Sequence, residues 1–280
     1  MRIAIASGKG GTGKTTVAVN LAVSLSAEEA IQFLDCDVEE PNAHLFLNPQ
    51  FTDRETVVKL LPEVDADRCT CCGACAEACE FGAIAVLGET VLVYPELCHG
   101  CGRCRMVCPT EAIREVPHEL GVIESGSARE FPFSHGLLRV GEAMATPIIH
   151  KLKDSIDGER TAILDAPPGT GCPTIAALVD VDLALLVTEP TPFGLHDLQA
   201  AVGVARALDV PVAVVINRDG IGDDLVEAYC REESIPIVLR IPFDRQIATL
   251  YSEGSILVDA KPEWKDTFLE LATTLKGMVS

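Results

Sequence analysis

The chain has 280 residues and 48% hydrophobic content, enough for one large core with room for a small second one. Forty-two acidic side chains against 22 Lys plus Arg leave a formal charge of −20, which opposes general affinity for nucleic acid or an anionic membrane. No apolar run is long enough to span a bilayer, and the N-terminal one is too short for a signal-peptide h-region, so a soluble, cytoplasmic protein is expected.

The first apolar run, Ile3 to Ala6, leads into Ser7-Gly8-Lys9-Gly10-Gly11-Thr12-Gly13-Lys14-Thr15-Thr16 and then a helix-compatible run from Val17 to Leu25. Gly8-x-x-x-x-Gly13-Lys14-Thr15 fits a P-loop between strand and helix. Its glycines turn backbone N–H groups onto phosphates, Lys14 reaches the β and γ oxygens, and the Thr15 hydroxyl takes Mg²⁺. Ile31 to Leu34 reads as a second buried strand ending at Asp35-Cys36-Asp37, with Pro41-Asn42 beyond. Carboxylates at that strand end lie on the ligand-binding edge of an α/β sheet. Of Asp35 and Asp37, one then orients an attacking water and the other holds a Mg²⁺-bound water; the fragment taken alone fits equally a strand cap and turn.

Most of the twelve cysteines crowd into one stretch, which in a reducing compartment indicates metal or cluster ligation and not a disulfide scaffold. Cys69, Cys72, Cys75 and Cys79 have the spacing C-x2-C-x2-C-x3-C, with Cys71 left over. The pattern recurs at Cys98, Cys101, Cys104 and Cys108, and an Ala-Ile pair follows each copy at Ala83-Ile84 and Ala112-Ile113. This is a duplicated unit with the bacterial ferredoxin spacing, in which each run's fourth cysteine ligates the other run's cluster. One [4Fe–4S] cluster is expected on Cys69, Cys72, Cys75 and Cys108, and a second on Cys98, Cys101, Cys104 and Cys79. Zinc is the competing ligand for such pairs. Glu80 stands where the first run would have proline, and His99 reads as a polar neighbour and not a ligand.

Beyond the cysteines, Gly121 to Glu124 returns the chain toward a sheet, the segment 131–146 has no assigned role, and Pro147 to Lys153 reads as a helix. Ala162-Ile163-Leu164-Asp165 followed by Pro167-Pro168-Gly169 reads as a Walker B strand and its switch, with Asp165 in the Mg²⁺ shell and Gly169 sensing a γ-phosphate. A capped strand with an ordinary turn is the alternative. Strands at Leu183–Val187, Val210–Ile216 and Ile237–Leu239 alternate with helices at Leu195–Leu208 and Asp223–Glu232. Asn217-Arg218 and Pro242-Phe243 lie where loops close over a base, or are plain turns. A last amphipathic helix, Glu263 to Lys276, lacks the basic face of a membrane binder and is expected to dock on the domain.

Lys9, directly after the first glycine, resembles the deviant Walker A motif of the MinD, Mrp and nitrogenase iron protein superfamily. Asp35-x-Asp37 with Pro41-Asn42 is similar to its switch I, Asp165-Ala-Pro-Pro-Gly169 to switch II of the Mrp branch, and Asn217-Arg218 and Pro242-Phe243 to its base-binding loops. The resemblance implies ATP and Mg²⁺ binding, slow hydrolysis with Lys9, Lys14 and Asp37 in catalytic roles, and a homodimer in which Lys9 reaches the partner's phosphates. The expected architecture is α/β, a mostly parallel sheet flanked by helices at 1–62 and 119–280, with an inserted small α+β bacterial-ferredoxin-like domain at 63–118. The expected function is nucleotide-controlled electron transfer through two clusters, or else cluster assembly and delivery, with an unidentified redox or cluster-acceptor protein as partner. The Cys-x-x-Cys found near the C-terminus of Mrp-type carriers is absent. Cys172 follows Asp165 by seven residues, as a cluster ligand does in the nitrogenase iron protein, though a small buried thiol is the expected role.

Overall fold

The computed structural model describes residues 1–279, which form two compact units. The first comprises, of the described residues, 1–55, 123–137 and 145–279; the second comprises 56–122 and 138–144.

Chain order explains the first unit. Strand β1 (Arg2–Ala6) runs into helix α1 (Lys14–Leu25), and β2 (Ile31–Asp35) into the short α2 (Ala43–Leu47). The long β3 (Gln50–Val64) then carries the chain into the second unit, which holds α3 (Ala74–Glu77), the hairpin β4 (Ile84–Leu87) and β5 (Thr90–Val93), and α4 (Arg103–Met106). An equally long β6 (Ile113–Ala128) brings it back, and β7 (Phe131–Leu138) and α5 (Thr146–Lys153) follow. The remainder alternates as β8 (Thr161–Asp165), α6 (Cys172–Leu178), β9 (Leu183–Thr188), α7 (Pro192–Ala207), β10 (Val212–Asp219), α8 (Leu225–Glu232), β11 (Ile237–Pro242), α9 (Arg245–Ser252), α10 (Leu257–Ala260) and α11 (Glu263–Met278).

The sheet order is β11-β10-β9-β1-β8-β2-β7-β6-β3, and every pair from β11 to β7 is parallel. Strands β1, β8 and β9 are near-continuous aliphatic runs buried on both faces, as a helix-covered parallel sheet requires. The residues of β2 alternate in side but are also buried, and Phe33 stacks on Phe133 of β7 with centroids 5.7 Å apart. The α11 face Phe268, Leu271, Ala272 and Leu275 is buried in the same core, so this helix docks on the domain. Among the described residues no helix is long and apolar enough to cross a membrane.

The 131–146 segment contributes β7, a sheet strand within this unit. Its Gly136 is required by space: a Cβ there would lie 2.6 Å from both Ile148 and Val38 side chains. Helix α7 begins three residues earlier than the sequence pattern indicates, because Pro192 occupies the first turn and the Thr191 hydroxyl caps it by accepting from Gly194 N–H at 3.0 Å.

Candidate functional site

The loop between β1 and α1 is built by close approach and by left-handed backbone. A Cβ on Gly8 would fall 2.1 Å from the Asp197 carbonyl oxygen, and one on Gly13 would fall 2.4 Å from Asn217 Nδ2. Gly11 and Gly13 have φ of 78° and 94°. Around Gly10 and Gly11 the space is open, as a cradle for an anion requires. Ser7 donates to the Lys9 carbonyl at 2.6 Å and Gly169 N–H to the Ser7 carbonyl at 2.9 Å, joining the loop to the segment after β8.

A cavity of about 470 Å³ opens over this loop, within the usual range for a small-molecule site. Its phosphate end carries Gly10, Gly11, Gly13, Lys14, Thr15 and Thr16, with Asp37, Glu40 and Asn42 facing from beyond β2. Its other end is apolar, with Pro242, Phe243, Ile247 and Tyr251, and Arg218 at the rim. Helix α9 therefore supplies Ile247, Ala248 and Tyr251, which sequence reasoning missed; the Asp244 cap before an amphipathic Gln246–Ser252 helix was the available signal. Asn217 is engaged locally: its Nδ2 donates to the Thr12 carbonyl at 2.8 Å and its Oδ1 accepts from Arg218 N–H. It braces the loop from below.

Asp165 and Asp37 both feel the charge of Lys14, and Asp35 lies next to them. The Thr15 hydroxyl donates to Asp165 Oδ2 at 2.5 Å, while Asp165 Oδ1 is buried without a partner. Burial pushes Asp165 up to about 6, with Lys14 and the Thr15 hydroxyl pulling the other way. Burial likewise pushes Asp37 up to about 6, again opposed by Lys14. Asp35 is raised well above the carboxylate range by burial and by the charge of Asp165. Its oxygens accept backbone N–H groups of Asp37, Asn42 and Ala43 at 3.1, 3.1 and 3.0 Å, so it shapes the 37–43 turn and does not line the cavity. The buried, unpaired Asp165 oxygen beside a hydroxyl fits a divalent cation's water shell. Thr15 and Asp165 would hold Mg²⁺ there.

Lys9 points elsewhere. Its Nζ lies 3.9 Å from Glu189, a nearly buried carboxylate that Arg218 also engages at 2.8 Å. Glu189 had no role in the sequence reading.

In the second unit the cysteines line two cavities. Cys79, Cys98, Cys101 and Cys104 share one; Cys69, Cys72, Cys75 and Cys108 share the other, together with Cys71. The duplicated sequence repeats in hydrogen bonding. Cys71 N–H and Gly100 N–H each donate at 3.4 Å to the thiol two residues before, Cys69 and Cys98. Ala83 and Ala112 N–H each donate at 3.3 Å to the thiol four residues before, Cys79 and Cys108. Cys71 stands at a left-handed position, φ 51°, where the other copy has Gly100 at 66°. All cysteines are free thiols. Four thiols in one cavity, and four plus Cys71 in the other, with amide N–H donors to sulfur in each, suit four-iron clusters.

His99 stacks on Phe81 with centroids 3.8 Å apart at the mouth of its cavity. Cys172 is exposed at the first turn of α6, correcting its reading as a small buried thiol, whereas Cys36 and Cys230 are buried.

Comparison with known proteins agrees with this geometry. The family described as CobQ/CobB/MinD/ParA nucleotide binding domain matches residues 3–258. An uncharacterized protein of Methanocaldococcus jannaschii is 33% identical over 100% of this chain and 98% of its own length. The iron-sulfur cluster carrier protein of Pyrococcus horikoshii is 28% identical over 98% of this chain and 85% of its own. Among solved structures, the septum site-determining protein MinD from Pyrococcus horikoshii, complexed with Mg-ADP, superimposes with a TM-score of 0.61 at 21% identity, covering 100% of this chain and 98% of that one.

Proposed function

The chain belongs to the CobQ/CobB/MinD/ParA family of nucleotide-binding domains, and from that premise we propose an ATP-hydrolysing iron–sulfur protein whose nucleotide state controls electron transfer through two [4Fe–4S] clusters. The observation that carries this reading is the pairing of cysteines in space. Each cavity takes the first three cysteines of one spaced run and the fourth of the other, with Cys71 beside one set, in a chain that also holds a phosphate loop.

On this reading residues 63–118 are an inserted ferredoxin-like domain, and 1–62 with 119–280 are the ATPase. ATP sits with its phosphates on the amides of Gly8 to Thr16 and its base between Phe243, Tyr251 and Arg218. Bound Mg²⁺ neutralises phosphate charge. Thr15 and Asp165 orient its water shell, Lys14 binds the phosphate oxygens, and Asp37 accepts a proton bond from the attacking water. Gly169, tied to Ser7, relays the loss of the γ-phosphate. Lys9 acts across a homodimer, leaving Glu189 for the partner's nucleotide. The bound clusters supply one-electron chemistry. The thiols hold them, and N–H donors from Cys71, Ala83, Gly100 and Ala112 stabilise charge on sulfur. The turn Asp37–Asn42 precedes α2 and β3, the strand that leads to the cysteines, which supports a nucleotide signal reaching them.

The test is anaerobic reconstitution followed by iron and sulfide analysis and EPR of the reduced protein. About eight irons and eight sulfides with interacting S = ½ signals support the reading; a zinc-loaded chain with no sulfide contradicts it.

A second reading, cluster assembly and delivery, is favoured by the relative named as an iron-sulfur cluster carrier and by the exposure of Cys72 and Cys101. Mixing holoprotein with an apo-ferredoxin separates the two: transfer of a cluster on addition of MgATP supports delivery, and two clusters that stay in place support electron transfer.

A further inference from the structure

The two cysteine sites differ most in the charge built beside them. Lys59 on β3 is 7% exposed, and its ammonium donates at 2.8 Å to the Pro95 carbonyl. That same carbonyl accepts the N–H of Cys98 at 3.2 Å, so the cation is bonded to the turn that presents a thiol ligand. The backbone of Lys59 and Leu60 also lies on the following loop. A Cβ on Gly100 would be 3.1 Å from the Leu60 oxygen and 3.6 Å from Lys59 Cβ. Lys59 lies behind the cavity wall; the lining itself carries Arg103, paired with Glu80, and Glu115, whose charge is met by Arg105 at 2.9 Å.

The duplicated unit supplies its own control. In the other copy the turn before Cys69 closes with Cys69 N–H donating to the Asp65 carbonyl at 3.0 Å. There the turn carries two carboxylates, Asp65 and Asp67, and no lysine; Arg68 is exposed and directed to Thr110 and Glu111, and Arg114, which also feels Asp65, is exposed and paired with Glu63. Burying an ammonium costs several kcal/mol unless it is well paired. Lys59 is paired with Glu142 at 3.7 Å, and Glu142 in turn holds His118 at 2.5 Å. The ammonium, not the carboxylate, is the end bonded to the Cys98 turn.

We propose that buried Lys59 makes the two clusters electrically unequal, so that an electron shared between them rests on the one held by Cys79, Cys98, Cys101 and Cys104. This rests on the two-cluster reading. Reduction adds one negative charge to a cluster, and a cation in a poorly screened site nearby stabilises the reduced form. Exchange from the first cluster to the second oxidises one as it reduces the other. Lys59 then sets the direction of that exchange without touching a cluster.

The experiment is a dithionite titration of the reconstituted full chain followed by EPR, with the two signals assigned through Cys72→Ser and Cys101→Ser. Lys59→Gln is expected to move the electron distribution at least tenfold away from the Cys98 site, about 59 mV for one electron. The other potential stays in place. Lys59→Arg restores the original order, and Glu142→Gln shifts the same signal the opposite way, a sign reversal that a purely structural role would not give. Should Lys59→Gln fail to fold, exposed Arg103→Gln is expected to lower the same potential by a smaller, salt-dependent amount. Potentials unmoved by these variants, or moved equally at both sites, would overturn the inference while leaving two clusters intact. A chain that takes up no iron would overturn the two-cluster reading itself, and this inference with it.

Discussion

Thr15 and Asp165 meet across the loop: the hydroxyl donates to Oδ2 at 2.5 Å, and Oδ1 is left buried and unpaired. A buried carboxylate oxygen without a partner costs the fold stability. Burial holds Asp165 at about 6 against an ordinary 3.8, so the folded apo state binds this proton more tightly than the unfolded chain. The sign follows from that. The group's favourable contribution is complete below pH 4 and is lost as pH rises through 6. Asp165→Asn should stabilise the metal-free protein by about 1–3 kcal/mol at pH 7.5. The gain should vanish near pH 4, and Mg²⁺-dependent hydrolysis should be lost. Denaturant titrations at the two pH values measure it.

Gly8 is fixed by space and not by backbone angle. Gly8→Ala forces a Cβ to 2.1 Å from the Asp197 carbonyl, so either α7 or the phosphate loop must shift. The expected cost is about 3 kcal/mol or more, from overpacking against rigid backbone. Nucleotide binding, measured by fluorescence titration, should fall at least tenfold, whereas Gly10→Ala, with open space around it, should lose much less stability.

Lys9 and Glu189 make a long, partly exposed pair, worth less than about 1 kcal/mol to the fold. Lys9→Ala should keep its melting temperature and iron content and lose ATP hydrolysis. An unchanged turnover would remove Lys9 from the catalytic set and with it the dimer built around it.

Crossed ligation has a signature in double variants. Cys79→Ser with Cys101→Ser damages one cavity only and should leave about half the iron, because both thiols line the same site. Cys79→Ser with Cys72→Ser damages both cavities and should leave much less, although these two residues belong to one sequence run. If each run instead held its own cluster, the two outcomes would be exchanged.

The parallel sheet was legible because β1, β8 and β9 are near-continuous aliphatic runs, a pattern set by burial on both faces. The loop and its helix were legible from glycine spacing alone. Strand β3 was not: Gln50 to Val64 is mostly exposed and carries Asp53, Arg54, Glu55, Lys59 and Glu63, so it lacks an apolar signature, and of β6 only the stretch from Gly121 to Glu124 was legible. Strand β7 was hidden by Pro132, Ser134, His135 and Gly136. The His135 ring is accommodated by Glu124 at 3.0 Å and by stacking on Phe51, and Gly136 by crowding. Asp35 was read as part of the Mg²⁺ water shell from its position after β2; that its carboxylate also accepts three backbone N–H groups of the following turn is a local capping that sequence alone leaves open. Glu189 and Tyr251 lie far from the loop in sequence, and only the fold brings them to its rim.

The central claim is that nucleotide state governs the clusters. Its most direct test is the rate at which the fully reconstituted, dithionite-reduced protein passes electrons to a soluble acceptor dye, in stopped flow, with MgATP, MgADP or a non-hydrolysable ATP analogue. A rate that differs at least several-fold between MgATP and MgADP, and that Lys9→Ala makes equal, is the predicted result. Identical rates in all three nucleotide states, with eight irons present, would contradict it.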